Sequence, residues 1–333
     1  MRSTVLSIFV FLSGACSVAH ADDSGWLPVR DQNPFVLGSG LPLLPSASLH
    51  AQGWSVDASI SESNTQLISS THGLLSDAPG LHVLFGAETR ESRVSVSYAF
   101  SDAWTARASL GDEWIGVGFL DGPIQDFHDL IGAPKGFRGG RLGVRPPAIH
   151  VTRDGEVLYS LDRPGQALAP LLIDLTRTWS FSEHTSYGVS LGVKLPTGDT
   201  RRLSDTGDNG ASISAFGDWT LFDRIQVGAR VGYLHVSGND VLPTLARSSA
   251  AFGDVYARMP LIGRWSAVLQ FDAHGALYRD VPIILGHAGL YTLGLARSFG
   301  AHSELLLGVS EDLPIGHAQD VSFLLAFRYR PGN

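Results

Sequence analysis

Thiols, lysines and charge are all scarce in this 333-residue chain: cysteine occurs once, at Cys16, and lysine only at Lys135 and Lys194. Charged residues make up 17% of the sequence, below the roughly 25% of soluble domains, yet only 44% is hydrophobic, so the chain avoids charge without becoming oily. The formal net charge of −8 excludes the basic stripe that a nucleic-acid surface requires. Past residue 21 no stretch reaches the 18 or so apolar residues of a spanning helix. Any membrane span in this chain must therefore be a strand.

Residues 1–21 read as an export signal. Arg2 supplies the positive n-region, Val5 to Leu12 the apolar core, and Ala19-His20-Ala21 a small-x-small cleavage site ahead of Asp22. A second reading takes Leu12-Ser13-Gly14-Ala15-Cys16 as a lipoprotein box, but Ser13 stands where such boxes want leucine. Cleavage after Ala21 removes Cys16, so disulfides contribute nothing to the mature chain, and it removes Arg2, which takes the net charge from −8 to −9.

The dominant positive signal is alternation at period 2 over segments near the 9–11 residues of a tilted membrane strand. Between Trp265 and Tyr278, Trp265, Ala267, Leu269, Phe271, Ala273 and Leu277 fall on one parity and Ser266, Gln270, Asp272 and His274 on the other. The same separation sets Ile225, Val227, Ala229, Val231 and Tyr233 against Gln226, Gly228, Arg230 and Gly232. Tyr187 to Leu195 and Val321 to Tyr329 repeat it. Trp104, Trp179, Trp219, Trp265 and Tyr329 sit near segment ends, as interfacial aromatic rings do in membrane barrels.

Connections alternate between short and long. Turns at 101–103, 182–184, 222–223, 262–264 and 300–301 interleave with long connections at 62–79, 112–165, 196–210, 237–249, 279–285 and 313–318. Five turns and six loops give about twelve strands, placed at 46–62, 79–101, 103–112, 166–181, 185–196, 211–221, 224–236, 250–261, 265–278, 286–299, 303–312 and 319–329. The expected fold is all-β, an up-and-down antiparallel transmembrane β-barrel of about 12 strands within a range of 10–14. A soluble β-sandwich also alternates, but its strands average about 5–6 residues and it has no reason for such asymmetric connections. The second strand is ambiguous: Val83 and Phe85 lie on one parity and Val94, Val96, Tyr98 and Phe100 on the other, so either a bulge or an added hairpin is expected within 88–93.

The domain reading is a signal at 1–21, a Pro/Gly-rich segment at 22–45 that forms a mouth or a plug, a barrel at 46–329 with an insertion at 112–165, and a C-terminal extension at 330–333. Pro28, Pro34, Pro42 and Pro45 bar the 22–45 segment from a central strand. Within the insertion, Ile124, Phe127, Leu130 and Ile131 have the spacing of a short amphipathic helix, and Asp154-Gly155 reads as a hairpin tip.

Arg30-Asp31-Gln32-Asn33-Pro34, then Gly40-Leu41-Pro42, Glu88-Thr89, Phe119-Leu120-Asp121, Phe127-His128 and Gly132-Ala133-Pro134 together resemble an uncharacterised proteobacterial family, described as a domain of unknown function. That resemblance implies an exported outer-membrane protein and carries no assigned activity. Lys194-Leu195-Pro196-Thr197-Gly198-Asp199 is similar to a strand-end motif of barrels associated with phenol degradation, which implies small or aromatic solutes.

Three groups of polar residues bear on chemistry. His184-Thr185-Ser186 has the His-x-Ser spacing of a barrel lipid hydrolase, but on this topology it lies in a periplasmic turn. Asp199, Asp205, Asp208 and Asn209 offer oxygens to a hard cation, yet the spacing matches no EF-hand, and a hydrated acidic loop is expected. No metal, cofactor or catalytic residue is assigned. The expected lumen lining is Arg107, Asp174, Lys194, Asp218, Arg230, Asp254, Arg258, Asp272, His274, Glu304 and Arg328, whose mixed signs persist in a barrel wall only if wet or paired. The leading expectation is a Gram-negative outer-membrane channel for small, hydrophobic or aromatic solutes, with outer-membrane lipid and the barrel-assembly machinery as partners. A lipid hydrolase and a closed structural or partner-binding barrel are the alternatives.

Overall fold

Because successive side chains leave a strand on opposite faces, a chain of alternating segments can close on itself with one face wet and the other oily. The computed structural model describes residues 25–44, 53–68, 80–120, 147–279, 285–313 and 316–331, with five positions between 122 and 129. Its strands are β1 (Gly53–Ile68), β2 (Leu81–Ser101), β3 (Trp104–Gly116), β4 (Ala148–Arg153), β5 (Glu156–Leu161), β6 (Gly165–Leu168), β7 (Leu171–Ser182), β8 (Thr185–Leu195), β9 (Gly210–Leu221), β10 (Ile225–Val236), β11 (Ser249–Pro260), β12 (Trp265–His274), β13 (Ala288–Phe299), β14 (Ser303–Asp312) and β15 (Val321–Tyr329). Twelve of them form the wall. Each pairs antiparallel with its chain neighbour from β7 to β15, β15 pairs with β1, β1 with β2, β2 with β3, and β3 with β7, which closes the ring.

The outer surface is apolar. Leu269 is 54% exposed and Leu293 62%, and Val94, Val96, Ile173, Leu191, Ile213, Val231, Val255, Leu307, Phe323 and Leu325 join them in a continuous exposed band. Such an area exceeds the few hundred Å² tolerated in water, so this band is a lipid-facing surface. At the short-turn end an aromatic belt encircles the wall, with Trp54 against Tyr98, Phe100 against Trp104, and Tyr187 against Trp219. Outward-facing Arg177 lies over Trp104 and Trp179, and Arg297 over Trp265 and Phe299. Their charged heads reach the interface while their stems cover apolar wall.

Three sequence expectations are corrected. First, β2 contains neither a hairpin nor a parity switch between 88 and 93. Leu81, Val83, Phe85, Ala87, Thr89, Glu91, Arg93, Ser95 and Ser97 all share its buried face. The apparent switch arises because the strand outruns the lipid band: where the inner face is polar the outer face is oily, and beyond it the inner face joins an apolar core. Second, the expected strand at 166–181 is broken at 169–170, since Pro170 has no N–H for the ladder. Thr197 fills the gap, donating to Ala169 O at 2.7 Å and accepting from Leu171 N–H at 3.0 Å. Third, the strand begun at Trp265 ends at His274, and Leu277, expected on the lipid face, is buried beside Tyr278 in the inner core.

Above the lipid band, the β4–β5 hairpin turns at Asp154 and Gly155, both at positive φ, and β4 pairs with residues 81–86 at the start of β2, beyond the point where β3 has ended. Ile124 is buried, with its N–H donating to Leu120 O. Phe127, Leu130 and Ile131 lie outside the described residues, as do the export signal, residues 45–52 and most of 112–147.

Candidate functional site

The lumen is filled by residues 25–44. With Pro28, Pro34 and Pro42 in it, this segment forms no ladder, so its backbone groups need other partners in a place that excludes water. One helical turn, α1 (Pro34–Leu37), closes at its N-terminus through Asn33 Oδ1, which accepts from Phe35 N–H, and Asp31 Oδ1 accepts from Asn33 N–H at 2.8 Å. Gly40 stands at φ +80, where a Cβ would lie 2.5 Å from the Lys194 side chain, so both backbone and space call for glycine.

Wall side chains satisfy the rest. Arg107 donates to Leu44 O at 2.6 Å and Leu43 O at 3.3 Å, Arg230 to Leu43 O at 2.8 Å, and Arg328 to Trp26 O at 3.3 Å. Gln270 mimics a strand partner, accepting from Leu27 N–H and donating to Leu27 O. Two ion pairs tie segment to wall directly: Arg30 with Glu91 at 2.6 Å and Asp31 with His274 at 2.9 Å. Gln32 adds hydrogen bonds to Glu91 and Gln319.

All eleven residues expected in the lumen sit on the inner face of the wall, but they meet partners rather than an open pore. Arg107 pairs with Asp174, Arg230 with Asp254, Arg258 with Glu304, and Arg328 with Glu304 and Asp57. Asp272 accepts from Gln270, and Asp218 from Tyr256. Lys194, 1% exposed, holds Asp205 and Asp208 at 2.9 Å each and donates to Thr206 at 2.6 Å. The acidic loop expected to be hydrated is therefore folded inward around a buried ammonium, while Asp199 caps a short 3₁₀ turn. Thr206 also reaches Gly38 O at 3.1 Å, which links this loop to the inserted segment.

Sequence reasoning missed Arg30, Asp31, Asp57, Glu91, Arg93 and Glu113. In β1, Ser55, Asp57, Ser59, Ser61 and Ser63 form a plain polar parity, so Asp57 was legible. Glu91 and Arg93 were lost in the ambiguity of β2. Glu91 Oε1 receives Arg30 and Arg93 together, and Glu113 faces Glu91 in register across β3. Glu88 has a separate task, accepting the backbone N–H groups of Phe119 and Leu120 at 2.7 and 2.6 Å.

Beyond the lipid band an apolar cluster covers the long-loop end. Phe35 and Val36 pack with Leu81, Phe85, Ile149, Leu242, Leu245, Leu277 and Leu285, and the Tyr278 hydroxyl donates to Phe35 O at 2.9 Å. Burial raises the Tyr278 hydroxyl above its ordinary value. Small spaces remain beside the inserted segment. One is lined by Val29, Val36, Leu41, Phe252 and Leu290 with Asp31, Arg230, Asp254 and His274. Another lies against β1, β2, β14 and β15. His184 lies in a short turn, exposed, 3.5 Å from Asp223, so no buried nucleophile and base meet there.

Comparison with curated proteins finds no match. Among solved structures, the COG4313 outer membrane channel from Pseudomonas putida F1 superposes with a TM-score of 0.55 at 10% identity, covering 84% of this chain and 96% of that one. The Ralstonia pickettii toluene transporter TbuX gives 0.43 at 12% identity, over 86% and 91%, and a KdgM porin 0.44 at 7%, over 84% and 99%. The likeness to the Pseudomonas channel is one of fold, a closed outer-membrane-type barrel. A family model described as "Protein of unknown function (DUF3187)" matches residues 3–330, and the chain belongs to that family.

Proposed function

We propose that this protein is an outer-membrane channel for small solutes that rests closed, with residues 25–44 as its plug. The observation that carries the reading is that the plug contributes no strand to the wall. It is held by side chains gripping its carbonyls and by two ion pairs, so it can shift or leave without breaking a single ladder bond. Export by the signal at 1–21, cleavage after Ala21, insertion by the barrel-assembly machinery and contact with outer-membrane lipid belong to the same reading, and the exposed apolar band supports it. Apolar lining in the space beside Val29, Phe252 and Leu290 suits small hydrophobic or aromatic solutes.

The inward charges support a second reading, a closed barrel whose pairs hold its shape, because each of the eleven has a partner inside the lumen. Planar-bilayer recording separates the two. The channel reading expects infrequent openings in the natural protein and steady conductance when 25–44 is deleted. A deletion variant that folds into a heat-modifiable barrel yet stays silent at every voltage overturns it.

A further inference from the structure

The plug is a hairpin whose two ends lie on the same side of the barrel. Gly25 backs onto the ring of Tyr256, Trp26 packs against that ring, and Trp26 O accepts from Arg328, one residue before the end of β15. Leu44 O accepts from Arg107, three residues past the start of β3. Both places adjoin the short turns. Between them the chain rises to α1, whose Phe35 stands edge-on to the rings of Phe85, Tyr159 and Tyr278 at 6.1, 5.6 and 6.2 Å, in the apolar cluster of the long-loop end. Arg30 donates to Leu37 O at 3.2 Å and to Leu41 O at 3.5 Å, which ties the two limbs of the hairpin to each other.

The long loops around α1 are bonded to one another. Asp240 N–H donates to Thr206 O at 2.8 Å and Ser237 N–H to Asn209 O at 2.9 Å, which joins the β8–β9 and β10–β11 loops. Arg247 N–H donates to Leu277 O at 2.9 Å and Arg279 N–H to Leu245 O at 2.7 Å, which joins the β12–β13 connection to them. The Tyr159 hydroxyl adds the β4–β5 hairpin by donating to Arg201 O at 2.9 Å. These loops form a roof held by backbone bonds, costly to leave unmade where water is excluded. The plug is bonded to the roof only by side chains: the Tyr278 hydroxyl donates to Phe35 O, and the Thr206 hydroxyl lies 3.1 Å from Gly38 O. A hairpin with both ends at one mouth leaves by that mouth without threading an end through the lumen. Passage the other way drags a limb through the barrel and breaks the roof. We infer that the plug opens by withdrawing through the short-turn mouth into the periplasm, while the roof stays assembled around the gap that α1 vacates. This rests on the channel reading for the mobility of the plug and adds the direction of its movement.

The test places a cysteine at Ser39, a buried position just past α1, in a chain with no cysteine after residue 21. Cells carrying the full-length Ser39→Cys barrel are treated with a maleimide–polyethylene glycol too large for porins or for the lumen, once with the outer membrane intact and once after it is permeabilised. Labelling is irreversible, so even rare openings accumulate as a gel shift. Glu156→Cys, exposed on the β4–β5 hairpin, and Asp223→Cys, exposed in a short turn, mark the two sides. Ser39→Cys is expected to label as Asp223→Cys does, only after permeabilisation. Tyr278→Phe, which removes the hydrogen bond to Phe35 O, is expected to speed that labelling and to add none in intact cells. Labelling of Ser39→Cys in intact cells overturns the inference, and so does its absence from both sides in a barrel whose heat-modifiability shows it folded. Bilayer conductance measured in parallel keeps the two proposals apart: a plug that withdraws from a silent barrel sinks the channel and keeps the direction, and conduction without labelling from the short-turn side does the reverse.

Discussion

Lys194 shows how one side chain can organise a lumen. Its ammonium is withdrawn from water and compensated by Asp205, Asp208 and Thr206, while its stem packs against Gly40 of the plug. Replacing it with methionine keeps the volume and leaves two buried carboxylates without their cation. Removing one member of a buried ion pair costs about 3–5 kcal/mol, so Lys194→Met is expected to lower the temperature at which the barrel loses its compact gel mobility. Asp205→Asn with Asp208→Asn in the same background should restore part of that loss. Lysine is rare in this chain, and this one is retained where a compact point charge can meet three oxygens at once.

Among the elements, the loop between β14 and β15 carries a pH dependence of its own. His317 Nδ1 lies 2.7 Å from His287 O, its ring is 4.8 Å from that of His287, and its backbone N–H donates to Asp312 at 3.0 Å. Burial pushes the His317 imidazole below its ordinary value, against the hydrogen bond to the His287 carbonyl, which raises it, and with a smaller lowering contribution from the His287 ring. The folded loop therefore prefers the neutral ring, whereas the opened loop protonates at the ordinary value near about 6.5. Above that pH both forms are neutral and nothing is lost. As pH falls through the ordinary value and then the lowered one, the opened loop binds more protons and closure weakens. Protection factors of the amides across residues 316–320, with the intrinsic pH dependence of exchange divided out, are expected to fall between about pH 7 and 5, and His317→Gln should flatten that response.

At the scale of the whole molecule, closure is a relation between a rigid wall and an inserted segment that shares no ladder with it. A Cβ at Gly294 would lie 2.5 Å from Leu27 Cδ1, and the chain has no cysteine after residue 21, so a Leu27→Cys, Gly294→Cys pair can test movement cleanly. Oxidation is expected to abolish openings in planar bilayers and reduction to restore them. Openings that persist with the cross-link formed would mean that solute passes around a fixed plug.

Strand positions were readable along the chain because alternation is a local property: each residue's face follows from its neighbours' parity, whatever lies across the ladder. The twelve-strand wall, its lipid face and its inward charges were legible on that ground, as was the Asp154-Gly155 hairpin tip. Faces alone, however, do not say what an inward side chain meets. That Arg107, Arg230 and Arg328 grip the carbonyls of residues 26 and 42–44, that Lys194 gathers a loop expected to be wet, and that Leu277 turns into a core depends on contacts between positions up to 302 residues apart. Such contacts are set by the closure of the ring and by the unmet hydrogen-bonding groups of a proline-interrupted segment enclosed within it. Periodicity records neither.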